Sequence, residues 1–167
     1  MLLFKDTLLR MASSQLRVPP ITAGLTADYD WQATGPGGEV LDMAETKGKT
    51  LFLNIWHPDC PSCVTEVPAI NNLFLALQGE DVLVLSVAPC TVEELGTAVA
   101  EEGILYPAYA VQKELPEVYR STSAPLTFIV APSGDIVFKH LGSAKWDDET
   151  CIAFLRSLAR EDAPAPE

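Results

Sequence analysis

The chain has 167 residues, 23 acidic against 11 basic side chains and a formal net charge of -12. A length of this order holds one domain with its own core, and 48% hydrophobic with 20% charged residues exclude a disordered or collagen-like chain. The acidic balance, with no cluster of Lys and Arg, excludes a phosphate-backbone partner, so no nucleic acid is expected.

Residues 1–20, ending in Pro19-Pro20, read as an arm leading into a domain that runs from 21 to 160. No stretch has the length of a membrane-spanning helix, and Met1 to Arg10 (MLLFKDTLLR) carries charges inside what would be a signal peptide's apolar region. A membrane tether would therefore have to lie outside this sequence. Polar and apolar residues alternate from Asp28 to Ala33, the period of a half-buried strand, Gly35 to Gly38 turns the chain, and Glu39-Val40-Leu41 returns as its partner. Thr50 to Trp56 (TLFLNIW) is a nearly continuous apolar run that suits a central strand covered on both faces.

From Pro61 to Leu77 the apolar side chains Val64, Val67, Ile70, Leu73, Phe74 and Leu77 fall at helical spacing, with Pro68 expected to kink the helix and Gly79 to stop it. Val82 to Ala88 is a second buried strand, and Thr91 caps a helix with Glu93 and Glu94 in its first turn. This strand-helix-strand-helix order implies parallel pairing. Leu126–Val130 and Ile136–His140 flank Ala-Pro-Ser-Gly-Asp and predict an antiparallel hairpin. A last helix from Asp147 to Arg160 places Cys151, Phe154, Leu155 and Leu158 on one face, and residues 161–167 are expected to be a mobile tail.

Of the four cysteines, only Cys60 and Cys63, in WHPDCPSC, have motif spacing. Two intervening residues let the sulfurs meet at disulfide distance. Cys60, one step outside the helix, is the candidate nucleophile, its thiolate favoured by unpaired N–H groups and the macrodipole. Cys63, in the first turn, would resolve the mixed disulfide. Glu66 stands three positions after Cys63 on the same helical face, where it could accept or relay the proton of the resolving thiol. Equally, it could be a surface acid matched to the dipole. The pair could also be half of a zinc site, but neither a second pair nor a His pair at finger spacing accompanies it.

The order of elements around Leu53-Asn54-Ile55-Trp56, Cys60-Pro61-Ser62-Cys63, Glu66, Pro68 and Ala124-Pro125-Leu126-Thr127-Phe128-Ile129-Val130 resembles the TlpA/ResA-like thiol-disulfide oxidoreductases. The resemblance implies an α/β thioredoxin-like fold, a central mixed sheet flanked by helices, with an extra N-terminal β-hairpin. It also implies a cis Pro125 facing the disulfide, catalytic Cys60, Cys63 and Glu66, and a substrate-binding surface of Trp56, Pro61, Ser62, Ala124 and Pro125. The strand position of Asn54 holds a buried aspartate in ordinary thioredoxins, so here the acid would come from the helix.

The activity so implied is reduction of protein disulfides by a monomer, supplied by an upstream thiol reductant. It would use no cofactor beyond the redox-active Cys60–Cys63 disulfide and no metal, and it would act outside the bacterial cytoplasm. Cytochrome c maturation is one role in the family, although the segment before Pro125 lacks the Gly-x-Pro-Glu of that branch. The contrasting reading is a copper-binding assembly protein that adds His140 to the cysteine pair, as in Sco proteins of the same fold. Its cysteine spacing would be one residue longer, and His140 reads as a solvated strand residue. The peroxiredoxin pattern Pro-x-x-x-Thr-x-x-Cys fails, with Ser62 and Thr65 in place of its Thr and Cys. Asp59 departs from the aromatic residue usual before the first cysteine, and its carboxylate opposes the Cys60 thiolate. Cys90 is either a third redox thiol or a buried small hydrophobe, and Cys151 is expected in the core.

Overall fold

The computed structural model describes residues 24–161, so the expected arm, and the expected tail apart from Glu161, lie outside the described residues. Strand β3 (Thr50–Ile55) is the axis of the domain, with all six residues buried. It runs parallel to β4 (Val82–Ala88), with Leu53 opposite Leu85, and antiparallel to β6 (Leu126–Val130), with Leu53 opposite Phe128. Strand β7 (Ile136–Leu141) extends the sheet antiparallel beyond β6. On the far side, β5 (Ala108–Ala110) joins β4 to β1 (Gln32–Thr34), and β2 (Val40–Asp42) closes that edge. Among the described residues the resulting seven-stranded order is β2-β1-β5-β4-β3-β6-β7.

Because strand side chains alternate between faces, neighbours on β3 feed two separate cores. Phe52 joins Ile70, Leu73, Trp146, Phe154 and Leu155 on one face, under α1 (Pro61–Thr65), α2 (Val67–Ala76), α3 (Val92–Glu102) and α4 (Glu149–Glu161). Leu51 and Leu53 join Met43, Tyr119, Phe128 and Val130 on the other. That second face is covered by short 3-10 turns, Met43–Thr46 and Glu117–Tyr119, rather than by a long helix.

The N-terminal hairpin forms at the edge, with Ala33 opposite Leu41, but its first strand is shorter than the alternation predicts. Asp28 competes for the backbone, since its Oδ1 accepts the Asp30 N–H at 2.9 Å and its carbonyl accepts Trp31 Nε1–H at 2.8 Å. Strand β5 has no sequence signal of its own, because three residues are too few for a period to show. The helix expected from Pro61 to Leu77 is broken rather than kinked. It ends at Thr65, Glu66 takes a turn conformation, and Pro68 is the second residue of α2, where its missing N–H costs nothing. Helix α3 carries a full capping box between Thr91 and Glu94 and stops at Gly103 in the left-handed region, φ 63°. Helix α4 starts at Glu149, two residues later than expected, because Asp148 Oδ1 accepts the Thr150 N–H at 2.9 Å; it includes Glu161, which the sequence assigned to the tail.

The packing predicts a contrast between two apolar truncations. Phe154 is fully buried, so Phe154→Ala should cost about 3–5 kcal/mol in urea unfolding. Leu75 is 54% exposed on α2, and Leu75→Ala should stay within about 0.5 kcal/mol of the parent.

Candidate active site

The chain leaves β3 at Ile55, and Trp56 extends the ladder by donating its N–H to the Val87 carbonyl at 3.1 Å. The loop then turns on itself: Cys60 N–H donates to the His57 carbonyl at 3.0 Å and Asp59 N–H to His57 Nδ1 at 3.1 Å. Pro61 occupies the first position of α1, with Cys60 as its N-cap in extended conformation. The Cys63 N–H donates to Cys60 Sγ at 3.3 Å, and the two cysteines are joined as a disulfide with Cα atoms 5.2 Å apart.

The two sulfurs are not equivalent. Cys60 is half-buried and Cys63 is 2% exposed, so a partner can reach only the first. Around Cys60, Ser62 Oγ lies 3.3 Å and the Ala124 carbonyl oxygen 3.7 Å from its sulfur. The Ala124–Pro125 peptide bond is cis, and Pro125 is buried with its carbonyl accepting the Gly142 N–H at 2.8 Å. Pro61 and Ser62 are exposed on the rim. Trp56, expected to face substrate, is instead 2% exposed and packed in the core beneath the motif, because it continues the buried strand. It shows only where it walls a groove of about 430 Å³, which Ile55, His57, Leu115, Tyr119 and Ala124 also line.

The electrostatics differ from the sequence expectation in two ways. With five residues, α1 is too short for a macrodipole of any size, so stabilisation of a Cys60 thiolate falls to nearby N–H groups such as that of Cys63. Asp59 extends into solvent, its side chain 92% exposed and its carboxylate 3.8 Å from His57 Nδ1.

Glu66 is not a surface acid. It is 2% exposed, and among the described residues every hydrogen bond to its carboxylate comes from a donor. Asn54 Nδ2–H donates to Oε1 at 2.8 Å, while Trp146 Nε1–H and the Ala144 N–H donate to Oε2 at 2.8 and 3.3 Å. Asn54 also donates to Thr127 Oγ1 at 3.0 Å, across the β3–β6 pairing that sets the two residues opposite each other. Burial raises the Glu66 pKa from 4.5 to about 6, against the opposing effect of these three hydrogen bonds. Glu66 lies three residues after buried Cys63 and four before buried Ile70, so it shares the inward face of α1 and α2, and its own N–H donates to the Cys63 carbonyl at 3.3 Å.

Trp146 escaped the sequence reading. The usable signal was indirect: a buried acid needs donors, and a tryptophan shortly before the last helix is an apolar residue with one N–H to give.

The remaining candidates separate cleanly. Burial, reinforced by Glu94, pushes the Cys90 thiol up to about 11, opposite to what a redox thiol needs. Cys151 is fully buried and pushed up to about 12. His140 is half-buried rather than solvated, its ring stacked with Phe138 at 6.3 Å and edge-on to Trp146 at 5.6 Å. Among the described residues no group of three or more His, Cys, Asp or Glu side chains is placed to hold a metal ion, so His140 does not join the cysteine pair as the copper reading requires.

Comparison with known proteins agrees with this geometry. A relative named thiol-disulfide oxidoreductase ResA, from Halalkalibacterium halodurans, is 29% identical over 111 residues, covering 63% of this chain and 61% of its own. The chain spans about three fifths of the length of the first curated relatives it matches. Among solved structures, the thioredoxin domain of a thiol-disulfide oxidoreductase from Bacteroides vulgatus superposes with a TM-score of 0.67 at 19% identity, covering 81% of this chain and 98% of that one. A secreted disulfide oxidoreductase of Mycobacterium tuberculosis gives 0.64 at 22% identity, covering 76% and 98%. These likenesses are of fold, and the fold is the thioredoxin-like one. A model described as the AhpC/TSA family matches residues 26–139, most of the sequence, and the chain belongs to that family.

Proposed function

We propose that the protein is a thiol-disulfide oxidoreductase that reduces disulfides of partner proteins through Cys60 and Cys63. The observation that carries this reading is the asymmetry of the pair, a reachable sulfur at a helix N-cap bonded to a buried one. In the reduced protein the Cys60 thiolate attacks a partner disulfide. A Cys60–partner S–S bond forms, the partner's own S–S bond breaks, and one partner thiolate leaves. Cys63 then gives its proton to the Glu66 carboxylate and attacks Cys60 Sγ, closing the internal disulfide and expelling the second partner thiolate. The partner gains two electrons, and an upstream dithiol returns them to this protein.

The groove beside Ala124 is where the partner chain would lie, with Pro61, Ser62, Ala124 and Pro125 around the reacting sulfur. No cofactor beyond the disulfide and no metal enters this scheme, and the protein acts as a monomer. Its setting is extracytoplasmic, a reading supported by the secreted relative and by the compartments in which protein disulfides persist. Among the described residues no helix is long and apolar enough to cross a membrane.

Three outcomes test the reading. The reduced protein should cleave accessible disulfides, such as those of insulin, and Cys60→Ser should abolish turnover; full activity in that variant overturns the scheme. Cys63→Ser keeps the nucleophile and removes the resolving thiol, so it should accumulate mixed disulfides that collapse on reduction, whereas Cys60→Ser should trap far fewer. Electrophoresis without reductant reads this directly, and an absence of adducts with a confirmed free Cys60 thiol reverses the order of attack.

The third outcome concerns pH. Glu66 is a base only when ionised, so resolution should speed up as pH rises through about 6, and Glu66→Gln should remove that inflection and slow the step on the order of 10²-fold. Stability runs the other way. A buried carboxyl whose folded pKa is raised above 4.5 favours the folded state most at pH below 4.5 and loses that contribution as pH rises through about 6. Denaturant melts of Glu66→Gln should lack this decline.

A further inference from the structure

A buried carboxyl that shuttles a proton must be accommodated in both of its forms. The observed bonds serve one form only. Asn54, Trp146 and Ala144 all donate, which suits the carboxylate and, among the hydrogen bonds of the described residues, offers a carboxylic O–H no acceptor. Two of those donors are fixed: the Ala144 N–H belongs to the backbone, and the Trp146 indole is held edge-on against Phe52 at 5.2 Å and Phe138 at 6.2 Å. Asn54 is different, because the two ends of its amide have similar shape and opposite hydrogen-bonding character. Its Nδ2 now donates both to Glu66 Oε1 and to the Thr127 hydroxyl, a group able to donate as well as accept.

We propose that Asn54 is a positioning residue whose side-chain amide turns over as Glu66 gains and loses its proton. In the anionic state the Asn54 NH₂ donates to Glu66 Oε1 and Thr127 Oγ1, as observed. In the neutral state the proton sits on Oε1, and Asn54 Oδ1 accepts from both the Glu66 O–H and the Thr127 O–H. No bond to Trp146 or Ala144 is broken in either state, because Oε2 remains an acceptor throughout. Trp146 is thus the fixed anchor, and Asn54 the moving part. The device explains why an amide rather than a second acid suits this strand position. An aspartate beside Glu66 would add a like charge, whereas an amide answers either protonation state.

The other groups facing this cluster come from every side of it. Tyr106, in the segment after α3, is held well above its ordinary pKa by burial and by the Glu66 charge and stays protonated across neutral pH. His140 of β7 stands opposite Thr127 across the β6–β7 pairing and edge-on to the Trp146 ring, Asp147 follows Trp146 in the chain and accepts from Asn72 at 3.0 Å, and the Cys60–Cys63 pair sits at the start of α1.

The inference rests on Glu66 acting as the base for Cys63, but its main test does not depend on turnover. In the oxidised full-length protein, the Asn54 side-chain NH₂ resonances should move with pH in step with the Glu66 carboxyl carbon, and stay fixed in Glu66→Gln. The Trp146 indole N–H should stay protected from exchange at both ends of the titration. An Asn54 amide that does not respond while Glu66 titrates overturns the proposal, as does a response that survives in Glu66→Gln or vanishes in His140→Gln. Trp146→Phe, which keeps the ring and loses the N–H, should raise the proton affinity of Glu66 about tenfold while the Asn54 response persists at the shifted midpoint. Asn54→Leu should slow resolution of the mixed disulfide with the attack by Cys60 unchanged. Equal loss in both steps, or in neither, denies Asn54 this positioning role even where disulfide exchange itself is confirmed.

Discussion

Removing a carboxylate from water is affordable only where donors replace the lost hydration, and the placement of Glu66 obliges several distant parts of the chain to meet. The strand supplies Asn54, the loop after β7 supplies Ala144 and Trp146, and the interruption between α1 and α2 supplies the acid itself. The same loop donates the Gly142 N–H to the Pro125 carbonyl. One short segment, 142–146, therefore fixes both the residue behind the reactive loop and the acid behind the cysteines. Trp146 adds the larger share of the packing, since its ring joins the core formed by Phe52, Phe138 and the last helix.

The unequal exposure of the two cysteines follows from where the central strand stops. A strand buried on both faces must deliver its last residues into the core, and Trp56 obeys that rule. The chain surfaces over His57 to Cys60 and dives again at Cys63, within one turn. A disulfide spanning that bend necessarily has one outward and one inward sulfur. In the proposed reaction, the assignment of nucleophile and resolving thiol would thus follow from the strand-to-helix corner alone.

Much of this was legible from residues alone because the relevant signals are dense. The apolar run of β3 and the spacing of Cys60 and Cys63 each report on local chemistry that the fold preserves. What escaped depends on groups far apart in sequence. Strand β5 is too short to show a period and exists because β4 and β1 both offer it an edge. The helical apolar spacing runs straight through Glu66, so only Pro68 hinted that the helix would part there. The inward turn of Glu66 requires a tryptophan 80 positions later, which no window of local pattern contains. Trp56 carries both signals at once, since continuing the strand buries it while its position beside the motif leaves it walling the groove.

The hydroxyl of Tyr119 accepts the Asp28 N–H and donates to the Asp28 carbonyl, both at 3.1 Å, while its ring stands edge-on to Phe128 and forms part of the groove wall. The wall is consequently no free loop. It is held by a clasp reaching back 91 positions to the segment that precedes β1. A change of partner preference made by reshaping that wall would have to carry the Asp28 segment with it, which makes the two regions a single unit of divergence despite their separation along the chain.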